Sequence, residues 1–235
     1  MMQDFDIFGP RDLAKLEEIS KSIGLAVPEN FVALSETFLS ELKKWNRRIN
    51  LVSRLEEPRL IERHLLDSLC LLAVERNLSG KTVVDVGSGA GFPGVVLAAW
   101  EPRCRVILVE SIGKKVAFLR AARRLLGLAN LSVVHSRIEK ADEAKLADEA
   151  ILPESVDLVV ARGVRGILEL AGKVEGRVKP GGALVLYKGR EVARRLASSK
   201  YDARAAELGF ELKTVTPAWQ NRTTLVVLKK TSRKH

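Results

Sequence analysis

The chain has 235 residues, 46% of them hydrophobic, which is enough to bury the core of one main domain with a modest extension. Its 39 Lys and Arg residues against 29 Asp and Glu residues give a formal charge of +10, which favours a polyanionic partner such as nucleic acid. No apolar run reaches the roughly 18 residues of a membrane helix, and the first residues lack the order of a signal peptide. Neither Cys70 nor Cys104 has CxxC spacing or a nearby histidine. We therefore expect a protein of the reducing cytosol with no membrane partner and no bound metal.

The segment before residue 78 has helical periodicity. Within residues 29–48 the apolar side chains recur at steps of three and four, which places one stripe toward a core. A second helical stretch is predicted after Pro58. We predict that residues 1–77 form an N-terminal helical extension and that residues 78–235 form the main domain.

After residue 78 short β-branched runs alternate with helical runs, which is typical of a parallel sheet flanked by helices. The predicted strands are 81–86, 104–110, 131–135, 156–161 and 183–188. The predicted helices between and after them are 94–100, 114–126, 141–150, 166–178 and 191–208. Such units build a doubly wound α/β sheet whose ligand site lies beyond the carboxyl ends of the central strands. Two last strands, 210–216 and 223–229, flank a short turn and should form a terminal antiparallel hairpin at one edge.

A glycine loop follows the first predicted strand, from Gly87 through Gly89 and Gly91 to Phe92. Glycines let the backbone turn tightly and approach a ligand closely, although a tight strand-to-helix turn would need them too. The third glycine of the dinucleotide pattern GxGxxG would fall at Phe92, where a large ring would crowd a pyrophosphate. Glu110 ends the second strand, where a carboxylate accepts hydrogen bonds from ribose hydroxyls or caps the following helix. Together these features predict a nucleoside-containing cofactor.

Several motifs of this chain resemble those of the RsmG family, also called GidB. They are Trp45-Asn46 through Asn50-Leu51, residues 63–69 (RHLLDSL), residues 85–94 (DVGSGAGFPG), Ser136-Arg137-Ile138-Glu139, Ala161-Arg162, Lys188-Gly189 and Arg222. The resemblance spans about residues 30 to 230. It implies a class I methyltransferase (Rossmann-like) fold that uses S-adenosylmethionine to methylate N7 of a guanine in 16S ribosomal RNA, free or within the small ribosomal subunit.

The resemblance also implies which residues form the site. The expected cofactor-binding residues are Asp85, Gly87, Gly89, Gly91, Phe92, Glu110, Ser111, Ile112, Ile138, Glu139 and Arg162. The expected substrate-positioning residues are Arg162, Lys188, Arg63, His64 and Arg222.

The chemistry of guanine N7 agrees with the absence of a catalytic dyad. N7 carries an in-plane lone pair, so methyl transfer needs alignment and charge handling more than a general base. Arg162 and Lys188, at the ends of central strands, could hold guanine O6 or a phosphate, although Lys188 could equally pair with Glu110. Likewise Arg63 and His64 could form an intrahelical pair with Asp67 or fill the junction between the two parts. We predict no catalytic base.

Basic residues form two clusters that could follow a phosphate backbone or be solvated helix faces. The first cluster is Lys43, Lys44, Arg47 and Arg48, and the second is Lys114, Lys115, Arg120, Arg123 and Arg124.

We expect a methyltransferase that acts as a monomer. Two other functions remain possible for this sequence. One is a noncatalytic RNA-binding or assembly protein, and the other is a dinucleotide-dependent oxidoreductase, which Phe92 disfavours.

Overall fold

The computed structural model describes residues 7–141, 152–164, 166–196, 199–220 and 222–232. Its seven strands form one mixed sheet in the order β3-β2-β1-β4-β5-β7-β6. Their bounds are β1 Thr82–Val86, β2 Arg105–Glu110, β3 Leu131–His135, β4 Val156–Arg162, β5 Val178–Gly189, β6 Phe210–Val215 and β7 Thr223–Lys230. Neighbours among β1 to β5 are parallel, and β7 is antiparallel to both β5 and β6. The predicted doubly wound α/β sheet with a terminal antiparallel hairpin is therefore confirmed.

Helices cover both faces of the sheet. They are α1 Pro10–Ile23, α2 Phe31–Asn46, α3 Leu66–Ser68, α4 Gly94–Trp100, α5 Gly113–Leu126, α6 Ile167–Val174, α7 Arg190–Leu196 and α8 Ser199–Glu207. Alternate strand residues point to opposite faces, so Val83 joins the core under α2, α4 and α5, while Val84 joins the core under α6. Burial on both faces explains why the central strands are continuous apolar runs.

The N-terminal helices share a core with the sheet. The Phe38 ring of α2 lies 5.3 Å from the Phe92 ring after β1 and 6.2 Å from the Phe118 ring of α5. Phe31, at the start of α2, meets Trp100 of α4 edge-on with ring centroids 5.0 Å apart. One hydrophobic cluster runs through both parts, so the two parts share a core. The division of the chain near residue 78 remains a prediction.

The helix predicted after Pro58 is not a regular helix. The chain passes through a 3₁₀ turn at Glu57–Arg59, a π turn at Ile61–Leu65, the short α3 and another 3₁₀ turn at Leu69–Ala73. Ser68 Oγ donates to the His64 carbonyl at 2.6 Å, and Tyr187 of β5 donates its hydroxyl proton to the Ser68 carbonyl at 2.8 Å. Side-chain donors thus occupy carbonyls that a regular helix would use, which explains the irregular turns.

One of the other predicted helices is shorter in the structure, and two fall partly or almost wholly outside the described residues. The helix predicted at 166–178 ends at Val174, since Val178 pairs with Val156 and Pro180 disfavours helical backbone in the residue before it. The helix predicted at 191–208 is described as α7 and α8, and residues 197–198 lie outside the described residues. The helix predicted at 141–150 falls almost entirely on residues 142–151, which also lie outside them.

The strand order reverses between β1 and β4, which are neighbours although the chain visits two other strands between them. Ligands of open parallel sheets bind at such a switch point, beyond the carboxyl ends of the strands. The loops after β1, β2, β4 and β5 therefore meet at one edge of the sheet.

Candidate active site

Glu110 joins the loop after β1 to the loop after β2. Its Oε2 accepts the Gly89 N–H at 2.9 Å, and its Oε1 accepts the N–H groups of Ser111 and Ile112 at 2.8 Å each. A carboxylate has about four acceptor positions, and three are occupied here. Glu110 therefore fixes the floor of the cleft and retains capacity for about one further donor, such as a ribose hydroxyl.

Asp85, the fourth residue of β1, is fully buried directly beneath the glycine loop. Its Oδ2 accepts the Gly94 N–H at 2.9 Å, whereas its Oδ1 is buried without a hydrogen-bond partner among the described residues. Burial raises the pKa of Asp85 to about 7, and the Gly94 N–H acts in the opposite direction. A buried carboxylate oxygen without a partner is costly, so it marks a place where a ligand donor would bind favourably.

The glycines of the loop differ in what they do. Gly87 and Gly89 have φ of +70° and +56°, a backbone region that glycine adopts without strain. At Gly91 a Cβ would lie 2.7 Å from Val95 Cγ2, so this glycine permits close packing of the loop on α4. The Phe92 ring is buried and lies 5.3 Å from the Phe38 ring and 5.1 Å from the His64 ring. A direct cofactor contact by Phe92 remains a prediction.

An apolar side chain stands beside Glu110. Ile112, which precedes α5 in the loop after β2, is 45% exposed and offers an apolar surface to a flat ring such as adenine. Ile138 is buried in the 3₁₀ turn Ile138–Lys140. Glu139 points to Lys173 of α6, with the two charged groups 2.6 Å apart, and this hydrogen bond lowers the pKa of Glu139.

Arg162, the last residue of β4, connects the sheet to the N-terminal extension. Its guanidinium lies 3.2 Å from Asp67 Oδ2 and donates to the Arg63 carbonyl. Asp67 is buried, and its Oδ1 accepts the Gln220 side-chain N–H at 3.0 Å. The main chain N–H of Arg222 donates to Gln220 Oε1 at 3.3 Å. One buried carboxylate thereby links β4 to the turn between β6 and β7.

The guanidinium of Arg162 has an unused donor group. Its Nη1 is buried and has no hydrogen-bond partner among the described residues. Arg162 is also one of the residues that line a cavity of about 130 Å³, which we call the base cavity. The base cavity is lined by Glu56, Glu62, Arg63, Asp67, Arg162, Gln220, Arg222 and Thr223. Three predicted substrate-positioning residues thus meet at one cavity.

The other two predicted substrate-positioning residues have different surroundings. His64 Nε2 lies 2.9 Å from Glu56 Oε2, and burial, followed by the charge of Arg162, lowers the pKa of His64 to about 4. Lys188 donates to the Val164 carbonyl rather than pairing with Glu110, and burial lowers the pKa of Lys188. Their roles toward the substrate remain predictions.

Sequence reasoning missed Glu56 and Gln220. Glu56 Oε1 lies 3.3 Å from Arg63 Nη1, so Glu56 binds both basic side chains that the motif analysis had singled out. Asp67 was considered as a partner of Arg63 and His64, but its cationic partner is Arg162. For this part of the site the sequence offered only the motif RHLLDSL, and a motif does not show which residues of other segments contact it.

The buried Asp85 predicts a pH dependence of stability. The folded protein retains the Asp85 proton up to about pH 7, whereas the unfolded chain releases it near the ordinary value of 3.8. The contribution of this group to the free energy of unfolding is therefore complete below about pH 4 and is lost as the pH rises through 7. Asp85→Asn removes the titration and keeps an oxygen for Gly94.

As the pH rises from 5 to 7, we expect the free energy of unfolding of Asp85→Asn, relative to that of the original chain, to increase by about 2 to 3 kcal/mol. Urea denaturation at pH 5, 6, 7 and 8 measures this difference. The His64 titration is common to both proteins and cancels. A difference that stays constant across these pH values would contradict the account of Asp85.

No group of three or more metal-ligating side chains occurs in the part of the chain that the structure describes. None of the described helices is long and apolar enough to cross a membrane.

The fold and the cleft define the class of protein. A glycine loop after β1 and a carboxylate at the end of β2, on a sheet with a terminal antiparallel hairpin, are the arrangement of class I S-adenosylmethionine-dependent methyltransferases. Solved structures share this fold at low identity. The 16S rRNA (adenine(1408)-N(1))-methyltransferase of Catenulisporales acidiphilia has a TM-score of 0.50 at 20% identity, covering 71% of this chain and 93% of that chain. A precorrin-6y C5,15-methyltransferase of Geobacter metallireducens has a TM-score of 0.50 at 18% identity, covering 77% and 91%.

Sequence comparison then identifies the family. The model of the family GidB, rRNA small subunit methyltransferase G, matches residues 32–225, and the chain belongs to this family. The ribosomal RNA small subunit methyltransferase G of Halorhodospira halophila is 42% identical over 162 residues, which are 69% of this chain and 71% of the relative. That of Lachnoclostridium phytofermentans is 31% identical over 222 residues, 94% of this chain and 90% of the relative.

Proposed function

We propose that this chain transfers the methyl group of S-adenosylmethionine to N7 of a guanine in 16S ribosomal RNA. Family membership supports the reaction. The observation that carries the proposal in the structure is the pair of buried carboxylates, Asp85 and Glu110, at the floor of the cleft. Glu110 suits the ribose of either kind of cofactor, but an acidic side chain directly beneath the glycine loop, such as Asp85, suits the ammonium group of S-adenosylmethionine better than a pyrophosphate. Asp85, together with Phe92 in place of the third glycine, therefore favours S-adenosylmethionine over a dinucleotide.

The residues of the cleft fit that cofactor. Asp85 Oδ1 lacks a partner among the described residues and suits an ammonium donor, Glu110 retains one acceptor position for a ribose hydroxyl, and Ile112 offers an apolar surface. When bound, S-adenosylmethionine supplies a methyl group made electrophilic by the adjacent sulfonium. Gly87 and Gly89 hold the loop open at the same edge of the sheet as Arg162.

The chain's own residues then act by position and charge. Guanine N7 is already a nucleophile, so the chain has no proton to remove from it. Arg162 lines the base cavity and its Nη1 has no partner among the described residues, so we infer that a small shift of the side chain lets this group donate to guanine O6 or N7 in the major-groove manner. Asp67 holds the other side of the same guanidinium, which fixes its plane before the base arrives. Burial also raises the pKa of Cys104 to about 12, so this thiol is not a ready nucleophile.

The pH profile of methyl transfer distinguishes this mechanism from base catalysis. Because the pKa of His64 is about 4, its ring is neutral from pH 6 to 8 and changes no charge there. At saturating cofactor and RNA, we expect His64→Asn to keep the pH profile of the original chain over this range. A shallow change with pH that both proteins share belongs to Asp85, whose pKa is about 7. A tenfold rise per pH unit that disappears in His64→Asn would mean that a general base is present, and N7 would no longer be the target.

Two assays test the proposed function itself. Calorimetry should show binding of S-adenosylmethionine and no comparable binding of NAD. Methyl-labelled cofactor incubated with the chain and undermethylated 16S rRNA should then place label in 7-methylguanosine. Cofactor and RNA binding without transfer would support the alternative of a noncatalytic RNA-binding or assembly protein. Tight NAD binding would instead support the oxidoreductase.

We also propose that the chain works as a monomer in the cytosol. A single chain carries both the cofactor cleft and the base cavity, so no second copy is needed to complete the site. Its substrate, ribosomal RNA, is a cytosolic molecule in bacteria. Sedimentation of the chain at micromolar concentration should give the mass of one copy.

A further inference from the structure

A second concave surface lies at the end of α2 and along the loop that follows it. Its volume is about 780 Å³, and we call it the arginine concavity. It is lined by Asn46, Arg47, Arg48, Asn50, Leu51, Val52, Ser53, Arg54 and Glu57. The three arginines are exposed, and none of them forms an ion pair with an acidic side chain of the described residues. Sequence analysis had grouped Arg47 and Arg48 with two lysines of α2 and had left out Arg54.

The side chain of Asn46, the last residue of α2, fixes the shape of the arginine concavity. Asn46 Oδ1 accepts the N–H groups of Leu51 at 2.9 Å and of Val52 at 3.1 Å. The amide nitrogen of Asn46 donates to Glu57 Oε2 at 2.8 Å. This last hydrogen bond occupies one oxygen of Glu57, the acid among the residues that line the concavity. The loop therefore presents its arginines on a preorganised frame, and a ligand that binds there does not have to order the loop.

The arginine concavity adjoins the base cavity. Glu57 lines the first and Glu56, its neighbour in sequence, lines the second. Glu56 also binds Arg63 and His64, and the Arg63 carbonyl accepts a hydrogen bond from Arg162. Consecutive residues of the segment 56–57 therefore contribute one to each depression, which places the two depressions next to each other along the chain.

The second predicted basic cluster has a different arrangement. It is spread along α5, where ten residues of helix span about 15 Å. Lys115 lies near the glycine loop, at the start of α5, whereas Arg123 and Arg124 lie in the last turn. The arginine concavity is therefore the more compact cationic surface beside the base cavity.

We propose that the arginine concavity binds backbone phosphates of the RNA strand next to the target guanine while that base occupies the base cavity. This inference rests on the proposed function. Arginine forks match phosphate oxygens in pairs, and phosphate contacts fix the register of a nucleic acid without reading its sequence. Two adjoining depressions, one for a base and one for its flanking phosphates, hold a single strand at two points.

A charge-neutralising pair of variants tests the proposal. Arg48→Gln/Arg54→Gln removes two charges from the arginine concavity. The control Arg103→Gln/Arg105→Gln removes two exposed charges from the segment 103–105, which enters β2 at the opposite edge of the sheet. Binding of undermethylated 16S rRNA is measured between 50 and 300 mM salt for the full chain and both variants. Thermal denaturation confirms that both variants are folded.

We expect the concavity variant to lose about 1 to 2 units from the slope of log affinity against log salt, and the control to lose less than about 0.5. The affinity of the concavity variant for RNA at low salt should fall about tenfold, with its affinity for S-adenosylmethionine unchanged. Equal losses in both variants would mean that the slope reports overall charge only, and this would overturn the proposal. An unchanged slope in the concavity variant would overturn it too. So would a loss of binding to an acidic polypeptide such as polyglutamate with RNA binding intact, which would indicate a protein partner.

The salt experiment and the methylation assay fail separately. If the original chain forms no 7-methylguanosine, the proposed function is wrong, while the salt slope still reports where RNA binds. If 7-methylguanosine forms and the slope does not depend on Arg48 and Arg54, the function stands and the proposed phosphate site is wrong.

Discussion

Arg162→Ala is expected to slow single-turnover methyl transfer about a hundredfold while weakening RNA binding by less than about tenfold. The guanidinium contacts Asp67 and donates to the Arg63 carbonyl, its Nη1 has no partner among the described residues, and the side chain lines the base cavity. A donor of this kind contributes most when the base is aligned for attack, so its loss should appear in the rate rather than in binding. Rapid-quench kinetics at saturating cofactor and RNA, with RNA binding measured separately, give the two effects.

Arg162→Lys separates chemistry from folding. Alanine leaves the buried Asp67 without its cationic partner, which costs about 3 to 5 kcal/mol when a buried pair is broken. Lysine retains a positive charge for Asp67 but lacks the planar fork that gives a second, directed donor. We expect Arg162→Lys to fold like the original chain and to remain slow. If Arg162→Lys transfers methyl groups at the original rate, the fork has no role in aligning the base.

Glu110→Ala is expected to lower the affinity for S-adenosylmethionine ten- to a hundredfold and to destabilise the fold by about 1 to 3 kcal/mol. The two effects have one cause. The carboxylate accepts the N–H groups of Gly89, Ser111 and Ile112, so its removal takes away the side-chain link between the loops after β1 and β2. The backbone hydrogen bonds from Gly87 and Ser88 to the Val109 carbonyl remain. Calorimetry gives the affinity, and urea denaturation gives the stability.

Glu110→Gln serves as the matched variant because it keeps one carbonyl oxygen for the backbone donors and loses the negative charge. It should recover part of the stability and little of the cofactor affinity, since a neutral amide attracts a cation less strongly. Unchanged affinity in a folded Glu110→Ala would remove this residue from the cofactor site.

Much of the fold was predictable because its strands are short apolar runs bounded by glycine and polar residues. The strands through Val84 and Ile107 are buried on both faces, and a run of β-branched residues leaves few alternatives. The first helix, Pro10–Ile23, was not singled out although its signals are present. Proline begins it, Leu16, Ile19 and Ile23 are buried on one side, and Gly24 ends it with a φ of +70°.

The irregular turns after Pro58 could not be predicted from sequence. They depend on Tyr187, which reaches the Ser68 carbonyl from β5 across 119 positions of the chain. Part of the candidate site was also unpredictable, because it depends on contacts between distant segments of the chain. The glycine loop and Glu110 are adjacent in pattern and structure, but Asp67 meets Gln220 from 153 positions away. Periodicity and motifs describe local structure, whereas these contacts are set by how the N-terminal extension packs on the sheet.

Nucleoside mass spectrometry of 16S rRNA tests the central claim most directly. The RNA is isolated from cells that contain the protein, from cells that lack it, and from cells that carry only the Arg162→Lys variant. We expect one 7-methylguanosine of 16S rRNA to be present in the first cells, absent in the second and strongly reduced in the third. An equal amount of 7-methylguanosine in cells with and without the protein, or the loss of a different modified nucleoside, would contradict it.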